Sequence, residues 1–90
     1  MVENNYNKGV YFKMNEKILE ILKNINEEIL TYKGPNLYED GIIDSFEILS
    51  IISNLEDEFD IEIDAMEVVS DNFATVNAIQ NMVGRIINSK

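Results

Sequence analysis

Apolar residues recur along most of this chain at steps of three and four, the spacing of one face of an α-helix. Ile18, Leu22, Ile25, Ile29 and Tyr32 form the first stripe, widened by Leu19 and Leu30, and predict a helix over roughly residues 15–31. Asn15 is placed to cap its start. Gly34-Pro35 is placed to stop it, because proline disfavours helical geometry in the residue before it. A second stripe, Ile48, Ile52, Leu55 and Phe59 with Leu49 beside it, predicts a helix of about 15 residues and roughly 22 Å. Asp44 and Glu47 have the spacing of a capping box at its start, and Asp60 is expected to end it in a left-handed conformation, a role glycine fills more easily. Thr75 is expected to cap a last helix over 76–88, with Val76, Ile79, Val83 and Ile86 inward and Gly84 weakening it slightly.

The segments between these stripes are shorter and less regular. Ile61-Glu62-Ile63 alternates like a strand, but no second strand is available to pair with it, so it is expected to be an extended connector that buries both isoleucines. Asp64-Ala65-Met66-Glu67 repeats the capping-box spacing and predicts a short third helix to about Val69. Asn72 and Phe73 read as loop, with Phe73 anchoring it. The connection over 32–43 is long for a bundle, and Leu37, Tyr38, Ile42 and Ile43 are expected to pin it to the core. Residues 1–13 show no sustained period and read as a loose N-terminal extension, from which Val10, Tyr11 and Phe12 could pack against a domain over 14–90. Four amphipathic segments without a sheet predict an all-α fold, a small four-helix bundle of three longer helices and one short one.

Composition narrows the chemistry. Ninety residues bury only a modest core, which disfavours a cleft-bearing enzyme. The absence of Cys and His removes disulfides, thiolate and imidazole catalysis and the usual zinc-ligand sets. The net charge is -10, and no basic residue occurs between Lys33 and Arg85. That interval carries twelve acids from Glu39 to Asp71, so the middle of the chain should hold a strongly negative field. Such a field disfavours nucleic acid and suits basic protein surfaces. With no long apolar run, a soluble, monomeric and cytoplasmic protein without a membrane span is expected.

Few residue patterns in this composition carry chemistry. Asp60, Glu62 and Asp64 alternate as calcium ligands do. Ala65 stands where the loop glycine belongs, however, and Asp71 where the final glutamate belongs. Glu56 and Asp57, or Asp44 and Glu47, could pair for acid–base work only in a pocket that shifts their pKa values, and none is indicated. Ser45 follows Asp44 at a helix start, where both residue types are common because they satisfy free N–H groups; from spacing alone, capping outweighs chemistry.

The wider spelling adds to this. Asp40-Gly41-Ile42-Ile43-Asp44-Ser45-Phe46 resembles the carrier-protein signature, in which a glycine precedes Asp-Ser-Leu or Asp-Ser-Phe by a few residues. Leu55-Glu56-Asp57-Glu58-Phe59 with Ile61-Glu62-Ile63 resembles the end and exit of that family's second helix, and Phe73-Ala74-Thr75-Val76-Asn77-Ala78-Ile79 the start of its last. Over about residues 16–88, in order, the chain resembles the acyl carrier protein family. The resemblance implies the four-helix bundle of that family and 4'-phosphopantetheine attached covalently to Ser45 by a phosphopantetheinyl transferase, from coenzyme A. It implies Asp44 near the transferase's magnesium, and a terminal thiol that shuttles acyl or aminoacyl groups between partner enzymes. Phe46 and Leu49 would give apolar contacts to these partners, while Glu47 and Glu56 would meet their basic docking patches. The chain would then be a cosubstrate in fatty acid, polyketide, nonribosomal peptide or related synthesis and not an enzyme. Ser50, Ser53 and Asp60 depart from fatty-acid carriers, and Gly-Ile-Ile-Asp-Ser is closer to stand-alone carriers serving adenylating ligases, D-alanyl carriers among them. The alternative of another class is an acidic helical module that binds proteins without a prosthetic group.

Overall fold

The structure, a computed structural model, describes the backbone of residues 2–89 and the side chains of residue 9 and residues 11–89. The first apolar stripe folds as two helices, α1 over Val2–Ile25 and α2 over Glu28–Thr31, where the spacing predicts one. The break is made by Asn26. Its side-chain Oδ1 accepts the Glu28 N–H at 3.0 Å, replacing the backbone carbonyl that a continuing helix would offer.

At the other end α1 begins at Val2, not near 15, so Asn15 lies inside the helix and caps nothing. Among the described side chains of this stretch Met14 is buried, while Tyr11, Phe12 and Lys13 before it are exposed. Helix nevertheless propagates from a formed turn at low cost, and no proline stops it. Of the aromatic pair in the expected extension, Phe12 is exposed and Tyr11 donates its hydroxyl to Asn88 Oδ1 at 3.1 Å. Met1, Lys90 and the side chain of Val10 lie outside the described residues.

The helix α3 spans Ser45–Phe59 and α4 spans Val76–Asn88, both as the sequence predicts. Asp60 closes α3 in the left-handed region at φ 52°, and Thr75 caps α4 by accepting the Ala78 N–H at 3.0 Å. Where a short helix over 64–69 is expected there is a 3₁₀ turn, Ala65–Glu67, followed by a second, Ser70–Phe73. Asp64 Oδ1 takes the N–H of Met66, two residues on, at 2.9 Å. The Glu67 carboxylate turns to Asn72 and Arg85 instead of back to Asp64, so no capping box forms there.

Ile18 and Leu22 of α1, Ile29 of α2, Ile51 and Leu55 of α3, and Ile79, Met82 and Val83 of α4 meet around Leu37, Ile43 and Phe73. Ile61 and Ile63 are buried beside them, as the alternation predicts. The inner face of α3 is centred on Ile51 and Leu55; Ile48, Ile52 and Phe59 flank it, half-buried, and Leu49 faces solvent. Met82 takes the matching central place on α4, with Val76 and Ile86 flanking. Tyr38, Leu19 and Leu30 are exposed rather than packed. With α1 packed on α3 and α4, and no strand among the described residues, the fold is an all-helical bundle of 42 × 27 × 21 Å. No described helix is long and apolar enough to cross a membrane.

Candidate functional site

Ser45 is the first residue of α3 and is exposed. Asp44 precedes it in extended conformation and closes the expected capping box. The Glu47 N–H donates to Asp44 Oδ1 at 2.8 Å, and the Asp44 N–H donates to Glu47 Oε1 at 3.2 Å. The Ile48 N–H is taken by the Asp44 carbonyl at 3.0 Å. Two first-turn donors, the N–H groups of Ser45 and Phe46, have no hydrogen-bond partner among the described residues and lie at the helix end beside the Ser45 hydroxyl. The positive end of the helix dipole adds to them, so this point favours an anion despite the acids around it.

The loop before α3 is built to hold this end still. Gly41 adopts φ +77°, a backbone that side chains rarely tolerate, and turns the chain toward Asp44. The N–H groups of Ile42 and Ile43 both reach the Leu37 carbonyl, at 2.9 and 3.2 Å. The buried Asn36 takes the N–H groups of Tyr38 and Glu39 on Oδ1, at 3.0 and 2.9 Å, and donates to Ser70 Oγ at 3.0 Å. Tyr32 donates its hydroxyl to Asp40 and accepts the Asn36 N–H at 2.6 Å. Its ring folds over Gly34, where a Cβ would lie 2.5 Å from the phenol oxygen, so any side chain there would displace the ring. Desolvation first, and the Asp40 bond second, raise the Tyr32 pKa above its ordinary 10.0.

Ser45 also lines a cleft of about 340 Å³ between α3 and the two 3₁₀ turns. Ile48 and Leu49 form one wall, Val68, Val69 and Phe73 the other, and Tyr38 and Ser70 supply its remaining hydroxyls. The outer wall is tied down by polar contacts at several points. Arg85 bridges Glu67 at 3.3 Å and Asn72 at 3.1 Å, and the Ile63 N–H donates to Glu56 Oε2 at 2.8 Å.

Asp44, Ser45, Phe46, Glu47 and Leu49 thus come together at the start of α3, with Phe46 81% and Leu49 61% exposed. Glu56 sits eleven residues on, roughly 16 Å along the helix. Both Glu47 and Glu56 are half-buried and hold backbone N–H groups of this chain. The sequence reading missed the cleft and its residues Tyr38, Val68, Val69 and Ser70. The one signal for them was the apolar pair Val68-Val69, which fits no buried stripe. Met66, 85% exposed within the first 3₁₀ turn, adds to the apolar surface. Among the described residues no group of three or more acids is placed to hold a metal ion. No protein-family model matches the chain.

Proposed function

We propose that this chain is a carrier protein of the acyl carrier type, modified on Ser45 with 4'-phosphopantetheine and working in the cytoplasm as a cosubstrate of partner enzymes. The observation that carries the reading is the setting of Ser45: an exposed hydroxyl beside two unpartnered N–H groups, on the edge of an apolar cleft. A phosphodiester suits the first feature and the arm or its cargo the second. The signature Asp40–Phe46 supports the same assignment.

In this reading Ser45 Oγ is the nucleophile toward coenzyme A. The Oγ–P bond forms, the pyrophosphate bridge breaks, and adenosine 3',5'-bisphosphate leaves. The Oγ proton passes to a base of the transferase, since the chain has no histidine and both neighbouring carboxylates serve the capping box. Asp44 keeps Ser45 on the first turn and leaves its charge toward the transferase's magnesium. When bound, phosphopantetheine supplies the thiol that holds an acyl or aminoacyl group as a thioester, which the cysteine-free chain lacks. A ligase of the D-alanyl type or a synthase would load it.

Intact mass decides this. Incubated with coenzyme A, magnesium and a broad-specificity transferase, the wild type should gain one phosphopantetheine and Ser45→Ala none; an unmodified wild type sinks the reading. The exposed Phe46, Leu49 and Met66 favour the second reading, a protein-binding module with Ser45 as a helix-start residue only, and that result would select it.

A further inference from the structure

Asn26 lies nineteen residues before Ser45 in the chain, yet it holds both sides of the site. Its Nδ2 donates to the Ile42 carbonyl at 2.9 Å, just before the cap, and to Glu47 Oε2 at 3.2 Å, just after it. Its Oδ1 accepts the Glu28 N–H at 3.0 Å, which fixes Asn26 itself at the break between α1 and α2. Glu47 is thereby held at both oxygens, by the Asp44 N–H on Oε1 and by Asn26 on Oε2. Only a short carboxamide combines two donors with an acceptor at this reach. Aspartate would keep the acceptor but lose both donors and set a second carboxylate against Glu47.

We propose that Asn26 is a positioning residue for Ser45: it locks the chain entering α3 and the first turn leaving it into one geometry, and so fixes where the Ser45 hydroxyl and the free N–H groups point. The capping box alone fixes Asp44 relative to Glu47, within one turn. Asn26 fixes that turn relative to the body of the bundle, and through it relative to the cleft. The proposal rests on Ser45 being the modified residue, but its structural half stands or falls by itself.

Asn26→Asp is the informative variant, because it keeps the bond to Glu28 while it removes the two donors and sets a carboxylate against Glu47. The double variant Asn26→Asp with Glu47→Gln returns a donor to this pair from the opposite side. The carboxamide introduced at position 47 can donate to the carboxylate introduced at position 26, while its oxygen still accepts the Asp44 N–H. Two measurements are made on wild type, both single variants and the double: kcat and KM for phosphopantetheinylation by intact mass, and amide shifts and hydrogen exchange by NMR. In Asn26→Asp, kcat should fall about tenfold or more with KM within about twofold, since misplacement of a reacting atom is costly while no partner-contacting side chain is itself replaced. Amides of residues 42–47 should move and exchange faster while those of α4 stay as in wild type. The double variant should recover much of kcat, a coupling that Glu47→Gln alone does not explain.

Wild-type kinetics with unmoved 42–47 amides would overturn the proposal. So would faster exchange spread evenly over α1, α3 and α4, because Asn26 would then serve general stability. If the wild type takes no phosphopantetheine, the carrier reading fails by that result alone, and the amide measurements still decide whether Asn26 holds the first turn.

Discussion

Asp44 caps α3 and, in the proposed carrier reading, also presents its charge to the transferase, and a pair of substitutions can separate the two. Its Oδ1 accepts the Glu47 N–H at 2.8 Å, and its charge lies next to Ser45. Removing a cap of this kind costs about 1 kcal/mol, whereas asparagine caps nearly as well as aspartate. Asp44→Ala should therefore lower the unfolding free energy by about 1 kcal/mol in urea, and Asp44→Asn by only a few tenths. Phosphopantetheinylation should slow in both. A slow Asp44→Asn with near wild-type stability isolates the charge as what the transferase uses, and an Asp44→Asn modified at the wild-type rate would reduce Asp44 to its cap.

At the scale of the helix, α3 sorts its apolar residues between two tasks. Ile51 is fully buried in the centre of the core, while Leu49, two positions earlier, stands 61% exposed beside Ser45. Truncating a buried isoleucine removes its transfer free energy and leaves a cavity, so Ile51→Ala should cost about 2–5 kcal/mol. At roughly 4–8 °C per kcal/mol for so small a domain, that is a fall of about 8 °C or more in Tm, or loss of the fold. Leu49→Ala should stay within about 0.5 kcal/mol by the same thermal melt. If Leu49→Ala destabilises as much as Ile51→Ala, the helix is rotated about its axis and a different face is buried.

The same helix shows what was legible in the sequence. The start at Ser45, the capping box, the Asp60 terminus and the Thr75 cap rest on bonds spanning three to five residues, and all were readable. Which of the apolar residues lies deepest was not: Ile48, Ile52 and Phe59 fit the period as well as Ile51 does, and only the neighbouring helices choose among them. The break at Asn26 was hidden for a related reason. Its amide is drawn out of the helix by Ile42 and Glu47, sixteen and twenty-one residues away. The cleft is likewise a product of assembly, joining α3 to turns some twenty residues further on.

Across the whole molecule, charge is divided as unevenly as the sequence implies. The bases Lys13, Lys17 and Lys23 all lie on α1, where Lys17 pairs with Glu58 at 3.5 Å, and Arg85 is engaged with Glu67 at 3.3 Å. Around Ser45, by contrast, Glu39, Asp40 and Asp44 are exposed, and Asp57, Asp60, Glu62 and Asp64 continue the acids past the far end of α3. A basic partner approaching this side meets a field summed over many carboxylates, and such fields act on encounter rate more than on the strength of any one contact. At physiological salt the Debye length is about 8 Å, so that steering is strongly screened. Raising the salt from about 20 mM to 500 mM should therefore lower kcat/KM for phosphopantetheinylation by about tenfold or more, chiefly through KM, with kcat little changed. Intact-mass rates at several salt concentrations measure this directly, and the melting temperature read alongside guards against unfolding as the cause. Apolar contacts through Phe46 and Leu49 survive added salt. A flat salt profile would therefore assign docking to those two side chains and leave the acidic excess as a solvated surface.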